Sequence, residues 1–283
     1  MIKINSLSGG KSSSYIAKNY PADFNIFSLI RTDDKKCTYP DKKIRQIVSD
    51  KIGHEFIGTL EQDNIIEVML NLEQFIGSKI EWVSPLSFDH LLNEKLKGQV
   101  LPNQMHRQCT HHLKFKPILE WWAKEVNETC DMRIGFRKGE EKRKDRVNER
   151  LIDGFQYDKV IIGQSKNGRN KWKTKKWRKP TYPLIDNGIA AIDVTNYWQK
   201  NKAVKFKEGY YNNCVGCFHR NPLFLNKMAQ EHKNKMQWFA DQETHTKYWR
   251  SKKEFYADIM KYNPQIELSF DDFNECDSGF CGL

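Results

Sequence analysis

The feature that most constrains the fold is a strand-like run that leads directly into a glycine turn and a helix start. Ile2–Leu7 is followed by Ser8-Gly9-Gly10-Lys11-Ser12-Ser13. Two adjacent glycines let the backbone approach an anion closely. Ser12 and Ser13 are residue types that cap helices, and the first N–H groups of a helix point at phosphate. Together with the mobile charge of Lys11, the segment predicts a phosphate-binding turn.

Short strand-like runs then alternate with helical runs through the first two-thirds of the chain. The predicted strands after the first are Phe24–Ile30, Glu55–Ile57, Asp131–Gly135 and Lys159–Ile162. The predicted helices between them are Asp41–Lys51, Asn64–Phe75, Phe88–Leu96 and Phe115–Glu125. This alternation predicts an α/β fold, in which helices cover both faces of a Rossmann-like, mostly parallel sheet.

The pattern becomes helical after Tyr182-Pro183-Leu184. The predicted helices are Ala191–Asn201, Asn221–Glu231, Met236–Ala240 and Lys252–Tyr262. We therefore divide the chain into a sheet domain over residues 1–200 and a small helical region over residues 201–283. The helical region carries four of the seven cysteines.

Charge and cysteine content restrict the class of protein. The formal net charge of +11 points to a polyanionic partner such as a nucleotide or a nucleic acid. No apolar stretch is long enough for a membrane helix, and a strand begins at once without a signal-peptide pattern, so we expect a cytoplasmic protein. Disulfides are rare there, and the cysteines are expected to be metal ligands, a nucleophile or buried small residues.

The segment Gln164–Pro180 is strongly basic and contains no acidic residue. A solvated charged loop is one interpretation. The other is a nucleic-acid contact by the Lys166–Lys179 loop, because Trp172 and Trp177 would stack on bases beside cations that neutralise phosphates. The basic residues are Lys166, Arg169, Lys171, Lys173, Lys175, Lys176, Arg178 and Lys179.

Gly10-Lys11-Ser12 suggests a Walker A loop, but that motif needs a glycine where this chain has Asn5. The segment instead resembles the Ser-Gly-Gly-x-Asp-Ser loop of the adenine-nucleotide α-hydrolase-like proteins, also called PP-loop ATP pyrophosphatases. Ser12 stands where those enzymes usually have Asp, which leaves open how a metal–pyrophosphate would be held.

Four further segments resemble, in order, the phosphoadenosine-phosphosulfate-reductase-like family that is common in phages. Arg107-Gln108-Cys109-Thr110-His111-His112-Leu113-Lys114, preceded by Leu101-Pro102-Asn103, is similar to the family's Arg-x-Cys-Thr-x-x-Leu-Lys. Gly135-Phe136-Arg137-Lys138-Gly139-Glu140-Glu141 is similar to its Gly-Ile-Arg-x-x-Glu turn. The others are Tyr182-Pro183-Leu184 with Ile192-Asp193-Val194 and Tyr197-Trp198, and Asn213-Cys214-Val215-Gly216-Cys217-Phe218.

The resemblance implies that residues 1–200 bind ATP or a related adenine nucleotide with Mg²⁺. Its site would comprise Arg137 and the six loop residues Ser8, Gly9, Gly10, Lys11, Ser12 and Ser13. Lys11, Lys114 and Arg137 would be the catalytic cations. Arg137 can hold a phosphate by a fork of donors, and Lys114 can also hold a phosphate, from the start of a helix.

Cys214-x-x-Cys217 is a typical half-site for zinc or an iron–sulfur cluster. With Cys109 and one cysteine of the C-terminus it would complete a four-thiolate site. We expect Cys281 as the fourth ligand, with Cys276 as the alternative, and a [4Fe-4S] cluster as the occupant, with zinc as the fallback. Cys37 and Cys130 are interpreted as incidental, and His111 and His112 as packing or solvated residues.

Three functions follow from the resemblance. The first is an ATP-dependent, adenylylating sulfurtransferase that uses an iron–sulfur cluster to modify a nucleic acid, either tRNA or DNA of a phage or its host. The second is a sulfonucleotide reductase, in which Cys281 attacks phosphoadenosine phosphosulfate and a dithiol partner reduces the product. The third is a non-catalytic nucleic-acid-binding subunit. The acceptor, the sulfur donor, the oligomeric state and the need for other subunits stay open.

Overall fold

A six-stranded sheet forms the centre of the molecule in a computed structural model that describes residues 1–206 and 213–262. Its order is β5-β2-β1-β6-β8-β7, and every neighbouring pair is parallel except β7 with β8. Two further short strands, β3 and β4, pair with each other in antiparallel fashion. The strands are β1 Ile2–Leu7, β2 Phe24–Ser28, β3 Arg31–Thr32, β4 Gly58–Thr59, β5 Ile80–Val83, β6 Cys130–Arg133, β7 Gln156–Gln164 and β8 Asn170–Thr181.

Helices cover both faces of this sheet. The α-helices are α1 Lys11–Asn19, α2 Lys42–Ile52, α3 Asn64–Ile76, α4 Phe88–His90, α5 Gln108–Thr110, α6 Lys116–Glu125, α7 Glu141–Asn148, α8 Pro183–Asp186, α9 Ala191–Lys200, α10 Pro222–Glu231, α11 Lys233–Asp241 and α12 Tyr256–Lys261. Lys35–Cys37 is a 3₁₀ turn. Two π-helical segments, Leu91–Lys95 and His111–Phe115, continue α4 and join α5 to α6.

Alternating side chains of the strands enter two separate cores. Leu7 and Phe27 point to the face covered by α1, α2, α3 and α9. Ile4 and Ile26 point to the opposite face, where they meet Trp122 and its neighbours on α6. Because both faces of the central strands are buried, the sheet is of the doubly covered α/β kind, and the predicted fold class is confirmed.

The strand order reverses direction at β1. The chain leaves β1 to build β2 and then β5 on one side, and returns to build β6 and then β8 on the other. In open parallel sheets, ligands bind outside the carboxyl ends of the strands at such a switch point. The loops after β1 and β6 are therefore the first place to look for a site.

The predicted third strand, Glu55–Ile57, is wrong. Those residues form an irregular segment that leads into β4. The strand that extends the sheet beyond β2 is Ile80–Val83. That strand is only four residues long and is interrupted by the charge of Glu81, so its sequence pattern is weak. The helix Glu141–Asn148 was also not predicted, because Val147 is its only buried residue.

The basic segment Gln164–Pro180 is not a loop, so that expectation is corrected. Its residues form most of a long antiparallel hairpin, β7–β8, that closes one edge of the sheet. The register shifts where Gln156 pairs with Arg178 and Tyr157 with Lys176, which leaves Trp177 as an extra residue on β8. A bulge of this kind re-aims side chains. Consequently Trp177 and Arg178 are both buried although they are adjacent in sequence.

The helical C-terminal region shares a core with the sheet domain. Leu225 and Trp249 pack in one cluster with Ile30, Leu60 and Leu91. The contact passes through the segments that follow β2 and β4, so the helical region lies against the same edge of the sheet that carries the loop after β2. No helix in the described part of the chain is long and apolar enough to cross a membrane.

The two tryptophans of the basic segment have opposite environments. Trp177 is fully buried beside Phe115 and Trp122, and its indole N–H donates to Asp158 Oδ2 at 2.8 Å. Trp172 is 52% exposed. Stacking of Trp177 on a nucleic-acid base is therefore excluded in this fold, and that part of the expectation is wrong.

We predict that Trp177→Ala lowers the free energy of unfolding by about 3–5 kcal/mol, because it removes a large buried ring and leaves a cavity. Trp172→Ala is the matched control and should change stability by about 0.5 kcal/mol or less. Urea unfolding followed by circular dichroism measures both. Equal losses in the two variants would contradict the described burial.

Candidate functional site at the carboxyl edge of the sheet

The loop after β1 is braced by its own serines. Gly9 has a φ of 76°, a left-handed conformation that glycine adopts without strain. The Ser13 hydroxyl accepts from the Ser8 N–H at 3.2 Å and donates to the Gly10 carbonyl at 3.0 Å. Gly10, not Ser12 or Ser13, is the N-cap of α1, so the predicted capping role of the serines is wrong. The serine at position 13 instead holds the turn closed.

Helix α1 is fixed from two sides. The indole N–H of Trp198 on α9 donates to the Lys11 carbonyl at 2.9 Å. On the other side Gly135 approaches so closely that an added Cβ would lie 3.2 Å from the Ser13 nitrogen. The first N–H groups of any α-helix lack partners within that helix and favour an anion. The loop thus presents a rigid, positively polarised helix end at the switch point.

Asn5 explains why the Walker A comparison fails. Its side chain is completely buried and donates to Asn25 Oδ1 at 2.9 Å and to the Tyr20 carbonyl at 3.0 Å. The Arg133 guanidinium also donates to the Asn5 side chain, with Nη1 3.3 Å from Asn5 Oδ1. The residue therefore ties β1 to β2 and β6, and belongs to the scaffold beneath the loop.

Arg137 lies on the turn after β6, directly beyond the contact of Gly135 with α1. Glu140 accepts from the Arg137 backbone N–H at 2.8 Å and pairs with its guanidinium at 3.3 Å. Arg143 binds the other oxygen of the same carboxylate at 2.5 Å. Burial opposes ionisation of Glu140, but the Arg137 N–H and the two guanidinium charges outweigh it and lower its pKa. The spacing Arg-x-x-Glu thus orients Arg137.

Lys114 lies in the π-helical segment, where its charge meets a buried carboxylate. Its ammonium is 3.4 Å from Glu61 Oε1, and Glu61 is 1% exposed. Burial raises the pKa of Glu61, and the nearby Lys114 works against that rise. The second oxygen of Glu61 has no hydrogen-bond partner among the described residues. Segments of π-helix are frequent at functional sites, and this one aims Lys114 at Glu61.

Glu61 could not be identified from the sequence, because no motif surrounds it. Lys235 of the helical region fixes its backbone, with the ammonium 2.6 Å from the Glu61 carbonyl and 2.7 Å from Asp63 Oδ1. Glu61 also pairs in a short antiparallel bridge with Cys214. A buried carboxylate between two lysines and a cysteine has no periodic signature in a sequence.

Three of the four predicted cysteine ligands are neighbours. Cys214 and Cys217 lie on one turn, where the Cys217 N–H donates to the Cys214 carbonyl at 3.1 Å. Burial, with the charge of Cys217 as the second cause, raises the pKa of Cys109 to about 11. The pKa of Cys214 is also raised, first by burial, then by Glu61 and by both other thiols. None of the three forms a disulfide.

The fourth predicted ligand, Cys281, and its alternative, Cys276, lie outside the described residues. Within residues 1–206 and 213–262, no three His, Cys, Asp or Glu side chains are placed to coordinate a metal ion. Cys37 and Cys130, interpreted as incidental, are buried in two different core clusters. Cys109, Cys214 and Cys217 are thus suitable ligands by their chemistry and are close enough to influence one another's pKa, but they are not placed to share one metal ion.

A second feature that sequence reasoning missed is a cavity of about 440 Å³ beside the turn after β6. It lies between the start of the π-helical segment, α7 and the β7–β8 hairpin. Five arginines and one carboxylate line it: Arg107, Arg143, Arg146, Arg150, Arg178 and Asp158. Three of these arginines recur at helical spacing in residues 143–150, and that spacing was the available signal.

No family profile, curated protein or solved structure matches this chain.

Proposed function

We propose that this protein is an ATP-dependent sulfurtransferase-like enzyme of the phosphoadenosine-phosphosulfate-reductase-like family, acting on a nucleic acid. One observation carries the proposal. The glycine loop of Ser8–Ser13 follows β1 and the Arg137 turn follows β6 of one mostly parallel sheet. The neighbouring thiols of Cys109, Cys214 and Cys217 belong to segments that bond at or just beyond the carboxyl end of β2, directly or through Glu61. A nucleotide centre and a thiol centre at one edge suit a two-stage transfer.

In the first stage an oxygen of the acceptor attacks the α-phosphorus of Mg²⁺-bound ATP. A new P–O bond forms, the bond to the bridging oxygen of the β-phosphate breaks, and pyrophosphate leaves. The amide groups at the start of α1 and the charges of Lys11 and Arg137 would stabilise the phosphate oxygens, because preorganised donors act most strongly where charge develops. Glu140 holds the Arg137 guanidinium ready for this role.

In the second stage sulfide from a sulfur donor attacks the activated atom: a bond to sulfur forms, the bond to the phosphate oxygen of AMP breaks, and AMP leaves. Cys109, Cys214 and Cys217, with Cys281, would hold the [4Fe-4S] cluster, and zinc is the alternative. When bound, the cluster would supply sulfide next to the activated atom. Burial raises the pKa values of Cys109 and Cys214, and coordination to a metal would favour their thiolate forms.

We predict that Gly9→Ala reduces the exchange of radiolabelled pyrophosphate into ATP by about tenfold or more, because a Cβ at a positive φ strains the phosphate-binding turn. The assay would contain bulk tRNA or duplex DNA as acceptor. Gly53→Ala is the control, since Gly53 also has a positive φ, of 69°, but ends α2 in open space. It should leave the exchange rate within about twofold of the unmodified protein.

Equal losses in these two variants would contradict a role for the loop in nucleotide binding. If the unmodified protein catalysed no exchange with either acceptor, adenylylation would be refuted. Release of sulfite from phosphoadenosine phosphosulfate would then favour the sulfonucleotide reductase, with Cys281 as its nucleophile. Nucleic-acid binding without either activity would favour the accessory subunit.

We predict that the protein, purified without oxygen, contains about four iron and four acid-labile sulfide ions per chain, and that Cys217→Ser loses most of both. Cys130→Ser is the matched control, because Cys130 is buried in the α6-facing core and is not expected to bind metal. Cys276→Ser and Cys281→Ser identify the fourth ligand. Iron retained in Cys217→Ser, or zinc found in its place, would contradict the assignment of a [4Fe-4S] cluster.

A further inference from the structure

The β7–β8 hairpin carries most of the net charge of the chain. Residues 156–181 contain nine basic side chains and one acidic side chain, a net charge of +8 against +11 for the whole protein. The one acid, Asp158, acts electrostatically on the buried Arg178, and its Oδ2 accepts from Trp177 Nε1 at 2.8 Å. The other eight basic side chains are exposed or half-buried. A concentration of positive charge on a surface attracts a polyanion.

The register of the hairpin places a tryptophan among these cations. Trp172 on β8 lies opposite Ile161 on β7, and Lys159 follows on the same face of the hairpin. Lys171 and Lys173 flank Trp172 in sequence and project from the other face, because successive side chains of a strand alternate. All five side chains are exposed. Trp172 therefore presents an aromatic ring with lysines on both sides.

A groove of about 400 Å³ lies between this part of the hairpin and α6. On α6 the charges are balanced, since the ammonium of Lys116 is 3.5 Å from Glu120 and that of Lys124 is 2.9 Å from Glu125. Lys159 adds a further cation from the hairpin side, and the rest of the lining, which includes Trp172, is apolar. We call this site the hairpin groove.

Protection of an exposed strand explains only part of this surface. Lysines on exposed strands oppose edge-to-edge pairing of sheets, and that role would account for Lys171 and Lys173. It does not account for Trp172 and Ile161, which are 52% and 42% exposed, because exposed apolar side chains favour association. An exposed ring among lysines is the arrangement that binds single-stranded nucleic acid, in which the ring stacks on a base and the cations neutralise phosphates.

The hairpin groove is separate from the glycine loop. β8 pairs with β6 through Arg178–Thr181, and residues 170–177 precede that contact. They therefore extend beyond the amino end of β6, whereas the glycine loop follows the carboxyl end of β1. Along β8, Trp172 is about 30 Å from Thr181, at about 3.3 Å per residue. Changes at Trp172 should consequently leave nucleotide binding intact.

We infer that the hairpin groove docks a single strand of nucleic acid outside the nucleotide site. Trp172 stacks on one base, while Lys159, Lys171 and Lys173 neutralise neighbouring phosphates. The identification of this strand as the acceptor rests on the proposed function. Neither a phosphate nor the face of a base differs between RNA and DNA, so the two kinds of single strand should bind with affinities within about threefold of each other.

The first test is fluorescence anisotropy of labelled 15-nucleotide RNA and DNA single strands. Trp172→Ala should weaken binding by about tenfold at about 0.1 M KCl, because the stacking on one base is lost. Trp172→Phe keeps a ring and should recover most of the affinity. Since Trp172 is half-exposed, both variants should fold.

The second test measures the same binding over a range of KCl concentrations. Lys171→Ala with Lys173→Ala should reduce the slope of log affinity against log salt by about 1.4, or about 0.7 for each lost phosphate contact. Lys42→Ala with Lys43→Ala is the control, because it removes the same charge from exposed positions at the start of α2. It should leave the slope unchanged, since α2 and α6 cover opposite faces of the sheet.

Four results would overturn the inference. The first is binding by Trp172→Ala that matches the Lys42 and Lys43 control, and the second is an equal loss of slope in the two lysine variants. The third is tighter binding of a duplex of the same sequence, whose stacked bases are not available to Trp172. The fourth is the absence of nucleic-acid binding, which would favour a protein partner that pairs with the edge strand β7.

Pyrophosphate exchange into ATP separates this inference from the proposed function. If both hold, Trp172→Ala should raise the concentration of acceptor strand that gives half-maximal exchange by about tenfold and leave the maximal rate unchanged. Normal exchange together with binding that is independent of Trp172 refutes the hairpin groove alone. Binding that depends on Trp172, without exchange in the unmodified protein, supports the hairpin groove and refutes adenylylation.

Discussion

The parallel pairing of β1 with β2 on one side and β6 on the other is the constraint on which the rest of the structure depends. It sends the loops after these strands to one edge of the sheet. The glycine loop follows β1, the Thr59 hydroxyl donates to the carbonyl of Ile30 just beyond β2, and the Arg137 turn follows β6. Asn5, buried between the three strands, fixes their alignment by hydrogen bonds that a hydrophobic side chain could not make.

Buried charged side chains are the second feature of this edge of the sheet. Lys114 and Lys235 surround Glu61, Glu140 binds two arginines, and the buried Arg178 lies in the electrostatic field of Asp158. Buried ions of this kind are weak contributors to stability and strong determinants of geometry. Their concentration beyond the carboxyl ends of the strands, while the two strand-face cores are apolar, is typical of an edge arranged for binding charged ligands.

The sequence predicted the elements whose signal is local. The run Ile2–Leu7 with its glycines identified β1 and the start of α1, and the alternation of runs identified the fold class. The elements it missed depend on pairing across the chain. From the sequence alone, Trp177 is expected to be an exposed base-stacking residue and Arg178 one more surface cation. The bulge opposite Gln156 turns Trp177 inward, and both side chains are buried. The electrostatic environment of Glu61 is set by Lys114 and Lys235, which are 53 and 174 residues away in the sequence.

The proposed function depends on the binding of an adenine nucleotide at the edge beyond β1 and β6. Amide hydrogen exchange with and without saturating MgATP tests it most directly, because it reports where the nucleotide protects the backbone. Binding at this edge should slow exchange in residues 8–14 and 135–140 and leave exchange in residues 42–52 of α2 unchanged. Protection confined to residues 143–150 would place the nucleotide in the arginine cavity instead, and that result, or protection that spares both loops, would contradict nucleotide binding at the edge beyond β1 and β6.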